Sequence, residues 1–392
     1  MKILWINDEA SFVSSVETYI YQIVQELSKT YDVDNFLLYD VRNRADIDFI
    51  NAFSFATIMA NIKEQIDIIK PDIIYIHQVD NIELIRAISE IDVPVVAFIH
   101  NHKHFCLREH KYTLLTNQTC TKAVGLGCYS CIGFINKSNS FPYLSINRMS
   151  DIKIAQKILK KFDHIVVGSE YMKNHLVMHG FKNDHLSNIK LFSQPLKDSN
   201  NDTSSKNIRH FLFVGELISG KGVDTLLDAF KKLKHNDIFL DICGDGKERN
   251  EFEERVKRLG ISNIVKFHGK LNSKRIENFY SNAYAVVIPS RTPEIYNLEG
   301  LEAMKFAKAV IASDVGSIRE WLKEDENGIT VPSNDSKKLA IALKFALDNP
   351  QKIKKMGRNG FEFYKQNFKP NQHCEEIHNL FNSIILKEPC TV

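Results

Sequence analysis

The sequence predicts an α/β protein made of two doubly wound domains, each built on a parallel sheet. At 392 residues the chain is too long for one ordinary core and suits two. Short apolar runs alternate with helical patterns along almost the whole chain. A polar stretch without periodicity, "LKDSNNDTSSKN" at 196–207, separates two sets of such runs. We therefore expect domains over 1–195 and 208–370, facing each other across a cleft, and a C-terminal helix within 371–392 that packs on the first domain.

The predicted strands are short and apolar on both faces, as in a buried parallel sheet whose strands are joined by crossover helices. In the first half they are "KILWIN", "DNFLLYD", "DIIYIH", "PVVAFIH", "HIVVGS" and "NIKLF". In the second half they are "RHFLFVGE", "IFLDICG", "IVKFHG", "AYAVVIPS", "AVIAS" and "GITVP". In open parallel sheets ligands bind beyond the carboxyl ends of the strands, so the loops there are the candidates for chemistry.

Composition indicates a soluble globular protein, with 44% hydrophobic and 25% charged residues and a net charge of +3. No apolar run approaches the ~20 residues that span a bilayer. The start, "MKILWIN", is typical of a first strand rather than a signal peptide, so we expect a cytoplasmic protein.

The positive charge is concentrated in residues 103–161, which carry ten Lys or Arg against Glu109 and Asp151. This segment is either a solvated basic surface or a patch that faces an anionic membrane or a phosphorylated acceptor. Nucleic acid is disfavoured as a partner, because stacking aromatic residues are not interleaved with the basic ones.

The loop after "FLFVGE" contains most of a phosphate-binding loop. Gly215, Gly220 and Lys221 have the spacing of a P-loop, but Gly222 replaces the Ser or Thr that would bind Mg²⁺. A magnesium-dependent NTPase is therefore disfavoured. A lysine at a helix start beside free backbone N–H groups still favours a diphosphate, with a solvent-facing lysine as the alternative.

Two further strand ends carry turns that could approach a ligand. Gly244 begins the "GDG" turn after the strand "IFLDIC", and His268 and Gly269 end the strand "VKFHG". Glycine lets the backbone come close to a ligand, and His268 could lie along a flat base. A plain β-turn and an ordinary loop histidine are the alternatives.

The stretch "PSRTPEIYNLEGLEAM" places two acids on either side of a predicted helix start. We expect the helix to run from Glu299 to Phe306, so that the N–H groups near Asn297 and Leu298 face an anion. Two acids cannot both adjoin that anion without repulsion. Glu294 and Glu302 could instead flank it and accept hydrogen bonds from hydroxyls, which is the layout of a nucleotide sugar.

At these residues the chain resembles retaining glycosyltransferases of family 4, which have the GT-B fold. The matching pieces are "VGELISGKGVDTLLDAF", "ICGDGKER", "VKFHGKL", "IPSRTPEIYNLEGLEAMKFAKAVIASDVGSIREWL" and "NGITVP", in the family's order and spacing. The resemblance implies that Glu294 binds donor-sugar hydroxyls, Glu302 the nucleotide ribose, and Lys221 the diphosphate. It also implies that Asn297 and Leu298 offer backbone N–H groups. The chain departs from the family at Glu216, where an arginine often supplies a second phosphate cation.

The first half resembles the family more loosely. Ser14 and Ser15 stand where a Gly-Gly pair often precedes the first helix, and they could offer N–H groups and hydroxyls near the phosphates. His100 ends a strand where the family has a histidine beside the transferred sugar. Some bacterial members that build surface polysaccharides have a cysteine six residues after that histidine, as Cys106 follows His100 here.

Four cysteines fall in one loop-rich insert, about 103–148: Cys106, Cys120, Cys128 and Cys131. In a cytoplasmic protein such a cluster favours a metal, and four thiolates suit a closed structural Zn²⁺ site. Free or redox-active thiols and disulfides are the alternatives.

The resemblance implies a hexosyltransferase that retains anomeric configuration. We expect catalysis without a metal ion, since no Asp-x-Asp metal site is evident and Lys221 can neutralise the diphosphate. The expected donor is a UDP- or GDP-sugar. The expected acceptor is a glycan or a polyprenyl-diphosphate-linked sugar in cell-surface polysaccharide assembly, with peripheral contact at the inner membrane face. A nucleotide-sugar 2-epimerase and a catalytically silent nucleotide-sugar binding protein are the alternatives.

Overall fold

The computed structural model of the chain describes residues 1–40, 42, 44–113, 118–131, 134–137, 144–193, 209–233 and 237–386. The predicted linker at 196–207 lies outside these residues. The chain forms two compact units. Unit 1 comprises Met1–Glu109, Lys122–Gln194 and Phe368–Val392, and unit 2 comprises His110–Thr121 and Pro195–Asn367. A short piece of the predicted insert therefore belongs to unit 2.

Unit 1 contains a seven-stranded parallel sheet and a small antiparallel hairpin. Its strands are β1 (Lys2–Ile6), β2 (Asp34–Tyr39), β3 (Phe55–Ile58), β4 (Ile73–Ile76), β5 (Val95–Phe98), β6 (Ile135–Lys137), β7 (Leu144–Ile146), β8 (His164–Val167) and β9 (Leu186–Asn188). Its first helices are α1 (Ser15–Thr30), α2 (Ile47–Ile50), α3 (Ile62–Ile69), α4 (Ile82–Ile88), α5 (Gly127–Ser130), α6 (Met149–Leu159) and α7 (Glu170–Met178).

The sheet order in unit 1 is β3-β2-β1-β4-β5-β8-β9, and β6 pairs with β7 alone. Strands β4, β5 and β8 are buried along their whole length, which explains why their sequences are apolar on both faces. Two differences from the expected strands lie toward the edges. Strand β9 ends at Asn188, so most of "NIKLF" (188–192) is not a strand, and the edge strand β3 is not among the expected strands although its sequence, "FATI", is largely apolar.

Unit 2 contains a six-stranded parallel sheet in the order β12-β11-β10-β13-β14-β15. Its strands are β10 (Arg209–Val214), β11 (Ile238–Cys243), β12 (Val265–Gly269), β13 (Ala285–Ile288), β14 (Ala309–Ser313) and β15 (Gly328–Val331). Its helices are α8 (Val223–Lys232), α9 (Arg249–Leu259), α10 (Ser273–Asn282), α11 (Leu298–Lys305), α12 (Ile318–Trp321), α13 (Ser336–Asp348) and α14 (Pro350–Asn367). All six strands expected from the sequence are present.

Both strand orders reverse once, between β1 and β4 in unit 1 and between β10 and β13 in unit 2. This reversal defines a doubly wound, Rossmann-like sheet and creates a crevice at the carboxyl ends of the two strands where it occurs. The predicted fold class, two Rossmann-like parallel-sheet domains, is confirmed.

The last helix, α15 (Pro370–Ile385), belongs to unit 1. It packs on α1: the hydroxyl of Tyr19 lies 2.8 Å from His373 Nε2, and the rings of Tyr31 and His378 stack at 3.9 Å. Phe381 meets Tyr75 of β4 edge-on, with ring centroids 5.0 Å apart. Within the described part of the chain, no helix combines the length and apolarity needed to cross a bilayer.

Candidate functional site

The predicted phosphate-binding and sugar-binding residues of unit 2 follow β10 and β13, the two strands at its switch point, whereas Gly244, His268 and Gly269 lie at the ends of β11 and β12. After β10 a 3-10 turn, Ser219–Lys221, leads through Gly222 into α8. Gly222 has a φ of +69°, and a Cβ there would lie 2.0 Å from the carbonyl oxygen of Pro289, directly after β13. Only glycine allows this approach, so the lysine loop is pressed against the end of the neighbouring strand.

Lys221 and Glu294 form an ion pair across this junction. Lys221 Nζ lies 3.0 Å from Glu294 Oε1 and 3.3 Å from Oε2. The Ser290 hydroxyl donates to the same Oε1. The Lys221 side chain is 23% exposed and that of Glu294 only 7%, so the lysine keeps one side toward solvent while the carboxylate is buried beneath it.

The pair sits in a strongly acidic environment. Burial lowers the pKa of the Lys221 ammonium, but the negative charges of Glu294, Glu299 and Glu216 outweigh this and raise its pKa above the ordinary value. Burial raises the pKa of the Glu299 carboxyl; Lys221 opposes the shift and Glu294 adds to it. Lys221 is therefore a permanent cation, surrounded by more acid than it can neutralise.

The backbone of Glu294 is fixed by the loop after β14. Glu294 forms an isolated parallel bridge with Gly316, and its carbonyl oxygen accepts from the N–H of Ser317 at 2.8 Å. Gly316 has a φ of +61°, and a Cβ there would lie 2.1 Å from the Glu294 carbonyl oxygen. Three neighbouring strands thus contribute to the position of one carboxylate.

Helix α11 begins at Leu298, one residue earlier than expected. Asn297 is its N-cap, and its side-chain oxygen accepts from the N–H of Gly300 at 2.6 Å. The N–H groups of Leu298 and Glu299 are the first two of the helix and have no intrahelical acceptor. Glu302 lies one turn further in and forms an ion pair with Lys305 at 3.2 Å.

The three predicted ligand-facing glycines after β10, β11 and β12 come together. The N–H of Gly244 donates to the carbonyl oxygen of Gly269 at 2.9 Å. A Cβ on Gly244 would lie 1.9 Å from the carbonyl oxygen of Gly215, so the backbones approach closely at this corner of the sheet. Glu216, next along the chain, is exposed.

His268 does not stand alone at this corner. Its Nε2 lies 2.6 Å from Oδ1 of Asp241, and the other oxygen of Asp241 lies 2.6 Å from His210 Nδ1. The ring of His268 also packs on Phe279, with centroids 4.4 Å apart. Asp241 therefore fixes the orientation of His268. The sequence contained a signal for this contact, because a carboxylate in the middle of the apolar strand "IFLDIC" needs a partner.

Arg291, which the sequence did not single out, holds the loop of Lys221 in place through hydrogen bonds. Arg291 is 4% exposed, and its guanidinium donates to Asp224 at 2.6 Å, Thr225 at 2.7 Å, Asn334 at 2.9 Å and the Ser219 carbonyl at 3.1 Å. Four of its five N–H groups are thus used for the protein's own structure. Arg291 consequently does not replace the phosphate cation that the family often has at the position of Glu216.

Of the predicted residues in unit 1, Ser14 and Ser15 begin α1. Ser14 is its N-cap and forms a capping box with Glu17: the Ser14 N–H donates to the Glu17 carboxylate at 2.8 Å, and its hydroxyl accepts from the N–H of Val16 at 3.1 Å. The backbone here is therefore less free than a Gly-Gly pair would be, and the capping box fixes the start of the helix. The Ser14 N–H already donates to Glu17 and is not available to a phosphate.

His100 follows β5 and lies among aromatic rings. Its Nε2 is 2.9 Å from Nδ1 of His77, and its ring stacks on Phe98 at 4.2 Å. Desolvation lowers the pKa of His100 to about 3, and burial lowers the pKa of His77 well below its ordinary value. Both imidazoles are neutral at physiological pH, and one donates to the other.

The four clustered cysteines are half-buried free thiols. Cys131 Sγ lies 3.3 Å from the carbonyl oxygen of Cys128, and Cys120 belongs to unit 2 while the other three belong to unit 1. Across the described ranges no group of three or more His, Cys, Asp or Glu residues is arranged to bind a metal ion. As placed, the four thiols do not fit a four-thiolate Zn²⁺ site.

Comparison with known proteins points to one family for the second half of the chain. Residues 196–363 match the family described as "Glycosyl transferases group 1". An uncharacterized glycosyltransferase of Methanocaldococcus jannaschii, MJ1178, is 28% identical over 60% of this chain and 67% of its own length. O-antigen chain mannosyltransferase C of Escherichia coli is 27% identical over 45% of this chain and 47% of its own length. The chain therefore spans between about half and two thirds of these relatives.

Among solved structures, Anabaena Alr3699/HepE in complex with UDP superposes with a TM-score of 0.74 over 98% of this chain and 100% of its own, at 16% identity. At this identity the likeness concerns the fold, which is that of the GT-B glycosyltransferases. The family match and the fold together support a GT-B glycosyltransferase.

Proposed function

We propose that this protein is a retaining glycosyltransferase that moves a hexose from a nucleotide diphosphate sugar to a glycan or lipid-linked acceptor. The observation that carries the proposal is the Lys221–Glu294 ion pair, which joins a phosphate-type cation and a hydroxyl-type acceptor at the switch point of unit 2, beside the start of α11. A UDP- or GDP-sugar is the expected donor.

The diphosphate would bind between Lys221 and the first turn of α11. Lys221 is cationic throughout the working pH range and partly open to solvent, and the N–H of Leu298 adds the positive end of the helix dipole. The surrounding acids oppose the binding of an anion, because Lys221 neutralises only part of their charge. A bound diphosphate would need Glu216 and Glu299 turned away from it or protonated.

Glu294 and Glu302 would bind opposite ends of the donor. Glu294 keeps acceptor capacity beyond its bonds to Lys221 and Ser290, so it suits the hydroxyls of the transferred sugar. Glu302, balanced by Lys305, suits the ribose hydroxyls one turn along α11. The corner of Gly215, Gly244 and Gly269 would then receive the nucleoside.

The reaction that this arrangement supports is a displacement on the front face of the sugar. The bond between sugar C1 and the diphosphate oxygen breaks, the acceptor oxygen bonds to C1 from the same face, and the leaving diphosphate takes the acceptor proton. Lys221 and the helix start stabilise the charge that develops on the leaving group, so we propose that catalysis needs no metal ion. His100, neutral and with Nε2 engaged by His77, would orient the sugar through Nδ1.

The biological setting follows from the relatives and the charge distribution. O-antigen chain mannosyltransferase C is named for surface-polysaccharide assembly, and the basic segment 103–161 suits a polyprenyl-diphosphate-linked acceptor. We therefore propose a role in cell-surface polysaccharide biosynthesis, in the cytoplasm at the inner face of the membrane. The thiols as placed do not form a metal site. A structural Zn²⁺ in the insert stays a prediction, which metal analysis of the purified protein tests.

The proposal is tested by incubating the protein with a panel of UDP-, GDP-, dTDP- and ADP-sugars, in the presence of a chelator. Release of the free nucleotide from one of them supports a transferase. A changed sugar on an intact nucleotide indicates a 2-epimerase, and binding without turnover indicates a silent binding protein. Either of these last two results overturns the proposal.

A further inference from the structure

The insert of unit 1 exposes a group of apolar side chains that the candidate site does not use. We call Leu126, Tyr129, Ile135 and Ile146 the insert patch. Leu126 is 84% exposed, Ile146 71%, Tyr129 53% and Ile135 37%. Exposed apolar residues are ordinary when scattered, but a contiguous group marks a surface that another body covers.

Backbone, ring and strand-pairing contacts connect the segments that carry the insert patch. The N–H of Tyr129 donates to the carbonyl oxygen of Leu126 at 3.1 Å, so both lie on one turn. The ring of Tyr129 lies 5.8 Å from that of Phe134. Ile135 is the next residue in the chain after Phe134, and it is the cross-strand partner of Ile146 in the β6–β7 hairpin.

The sequence that contains and follows the insert patch is strongly positive. Residues 122–161 carry seven Lys or Arg against Asp151 alone. Arg148 follows β7 by two residues and is exposed, as are Lys153 and Lys157 on α6 and Lys161 beyond its end. The last three recur every fourth residue, so they lie on one face of the helix, and the half-exposed Ile154 lies next to Lys153.

We propose that the insert patch and these basic residues form a docking surface for a bilayer rich in anionic lipids. Aliphatic tips beside an aromatic ring enter the interface between headgroups and acyl chains, and flanking Lys and Arg are attracted to anionic headgroups. A second copy of this chain is a poorer occupant, because it would bring two strongly positive surfaces together. This inference rests on the proposed function, because a docking surface for a bilayer is useful to an enzyme whose lipid-linked acceptor lies in a membrane.

The test is flotation of the full-length protein with vesicles, in the absence of any sugar nucleotide. We expect binding to vesicles of phosphatidylcholine and phosphatidylglycerol, little binding to pure phosphatidylcholine, and release at high salt. The triple variant Leu126→Ser, Tyr129→Ser, Ile146→Ser should bind at least about tenfold more weakly. Because these side chains are exposed, its thermal unfolding should match that of the wild type.

A matched control changes three similarly exposed isoleucines elsewhere, Ile47→Ser, Ile68→Ser and Ile341→Ser, and should bind like the wild type. Equal binding by both triple variants overturns the proposal, as does wild-type protein that ignores anionic vesicles. A concentration-dependent dimer that only the patch variant loses would assign the surface to self-association instead. Nucleotide release in vesicle-free solution is scored separately, so failure of the surface and failure of the transferase proposal are distinguishable.

Discussion

Lys221 Nζ donates to both carboxylate oxygens of Glu294, at 3.0 and 3.3 Å, although the two residues are 73 positions apart in the chain. They meet because β10 and β13 are neighbours in the sheet and their loops leave the same edge. The pair fixes the orientation of each side chain before a ligand arrives. A group oriented in advance loses little conformational entropy on binding, which is a requirement for strong electrostatic stabilisation of a leaving group.

Replacement of Lys221 by Met should lower affinity for the nucleoside diphosphate of the preferred donor by at least about tenfold, because a desolvated charge contact to phosphate is lost. Isothermal titration measures this directly. Lys344→Met, which removes an exposed lysine paired only within α13, is the control and should bind normally. Unchanged affinity of the Lys221 variant would remove this residue from the phosphate site.

Replacement of Glu294 and replacement of Glu302 should have different effects on steady-state kinetics. Glu294→Ala is expected to reduce kcat about a hundredfold or more with a smaller change in nucleotide affinity, since it contacts the reacting sugar in the proposal. Glu302→Ala should mainly weaken nucleotide binding, by about tenfold, through loss of the ribose contact. Near wild-type rates from both variants would contradict the assignment.

Gly316→Ala should destabilise unit 2 by about 1–3 kcal/mol, because the backbone has a positive φ and the new Cβ would meet the Glu294 carbonyl oxygen. Transfer should fall as well, since Glu294 must shift. Gly125→Ala is the matched control: it lies in open space and should melt like the wild type. Thermal denaturation and donor turnover, measured on both variants, decide the outcome.

Loss of the Arg291 guanidinium should lower the stability of unit 2, although Arg291 itself does not contact the proposed ligand. Arg291→Ala is expected to lower the free energy of unfolding by about 3 kcal/mol, because it leaves Asp224 and several buried acceptors unpaired. Arg319→Ala removes an exposed pair with Asp314 and should cost no more than about 0.5 kcal/mol. Chemical denaturation that finds equal effects would show that the buried network is not stabilising.

Acid should destabilise unit 1 through its buried histidines. The pKa is lowered to about 3 for His100 and to about 4 for His373, mainly by burial, so below about pH 6.5 the unfolded chain binds protons that the folded chain does not. Stability is then complete above that pH and falls by up to about 1.4 kcal/mol per pH unit for each such histidine as the pH drops. Unfolding free energies between pH 5 and pH 7 measure the slope, and His373→Gln should reduce it. An unchanged slope would contradict this origin.

The sequence predicts the fold well because buried parallel strands must be apolar on both faces. All six strands of unit 2 follow from this rule. In unit 1 the edge strand β3 was not expected although "FATI" is largely apolar, and β9 lies closer to the chain start than expected. The loop positions of Lys221 and Glu294 also follow, since spacing and strand ends locate them. The direct contact between Lys221 and Glu294 could not be predicted, because the sequence does not show which strands are neighbours in the sheet.

The parts of the site that sequence could not supply depend on partners distant in the chain. Arg291 looks like a loop arginine until Asp224, Thr225 and Asn334 are brought around it. Asp241 looks like an interruption in an apolar strand until two histidines flank it on neighbouring strands. The grouping of the insert cysteines suggested a metal site, and a structural Zn²⁺ there stays a prediction, since the described residues contain no group arranged to bind a metal ion.

Helix α15 has a consequence for how the chain is made. Unit 1 begins at Met1 yet needs residues beyond Phe368, whereas unit 2 is supplied by earlier parts of the chain. During translation, the surface of α1 that receives His373 and the ring of Tyr75 that receives Phe381 stay uncovered until the last helix has left the ribosome. The domain synthesised first is thus the one completed last, and a nascent chain halted before α15 would present that apolar surface to chaperones.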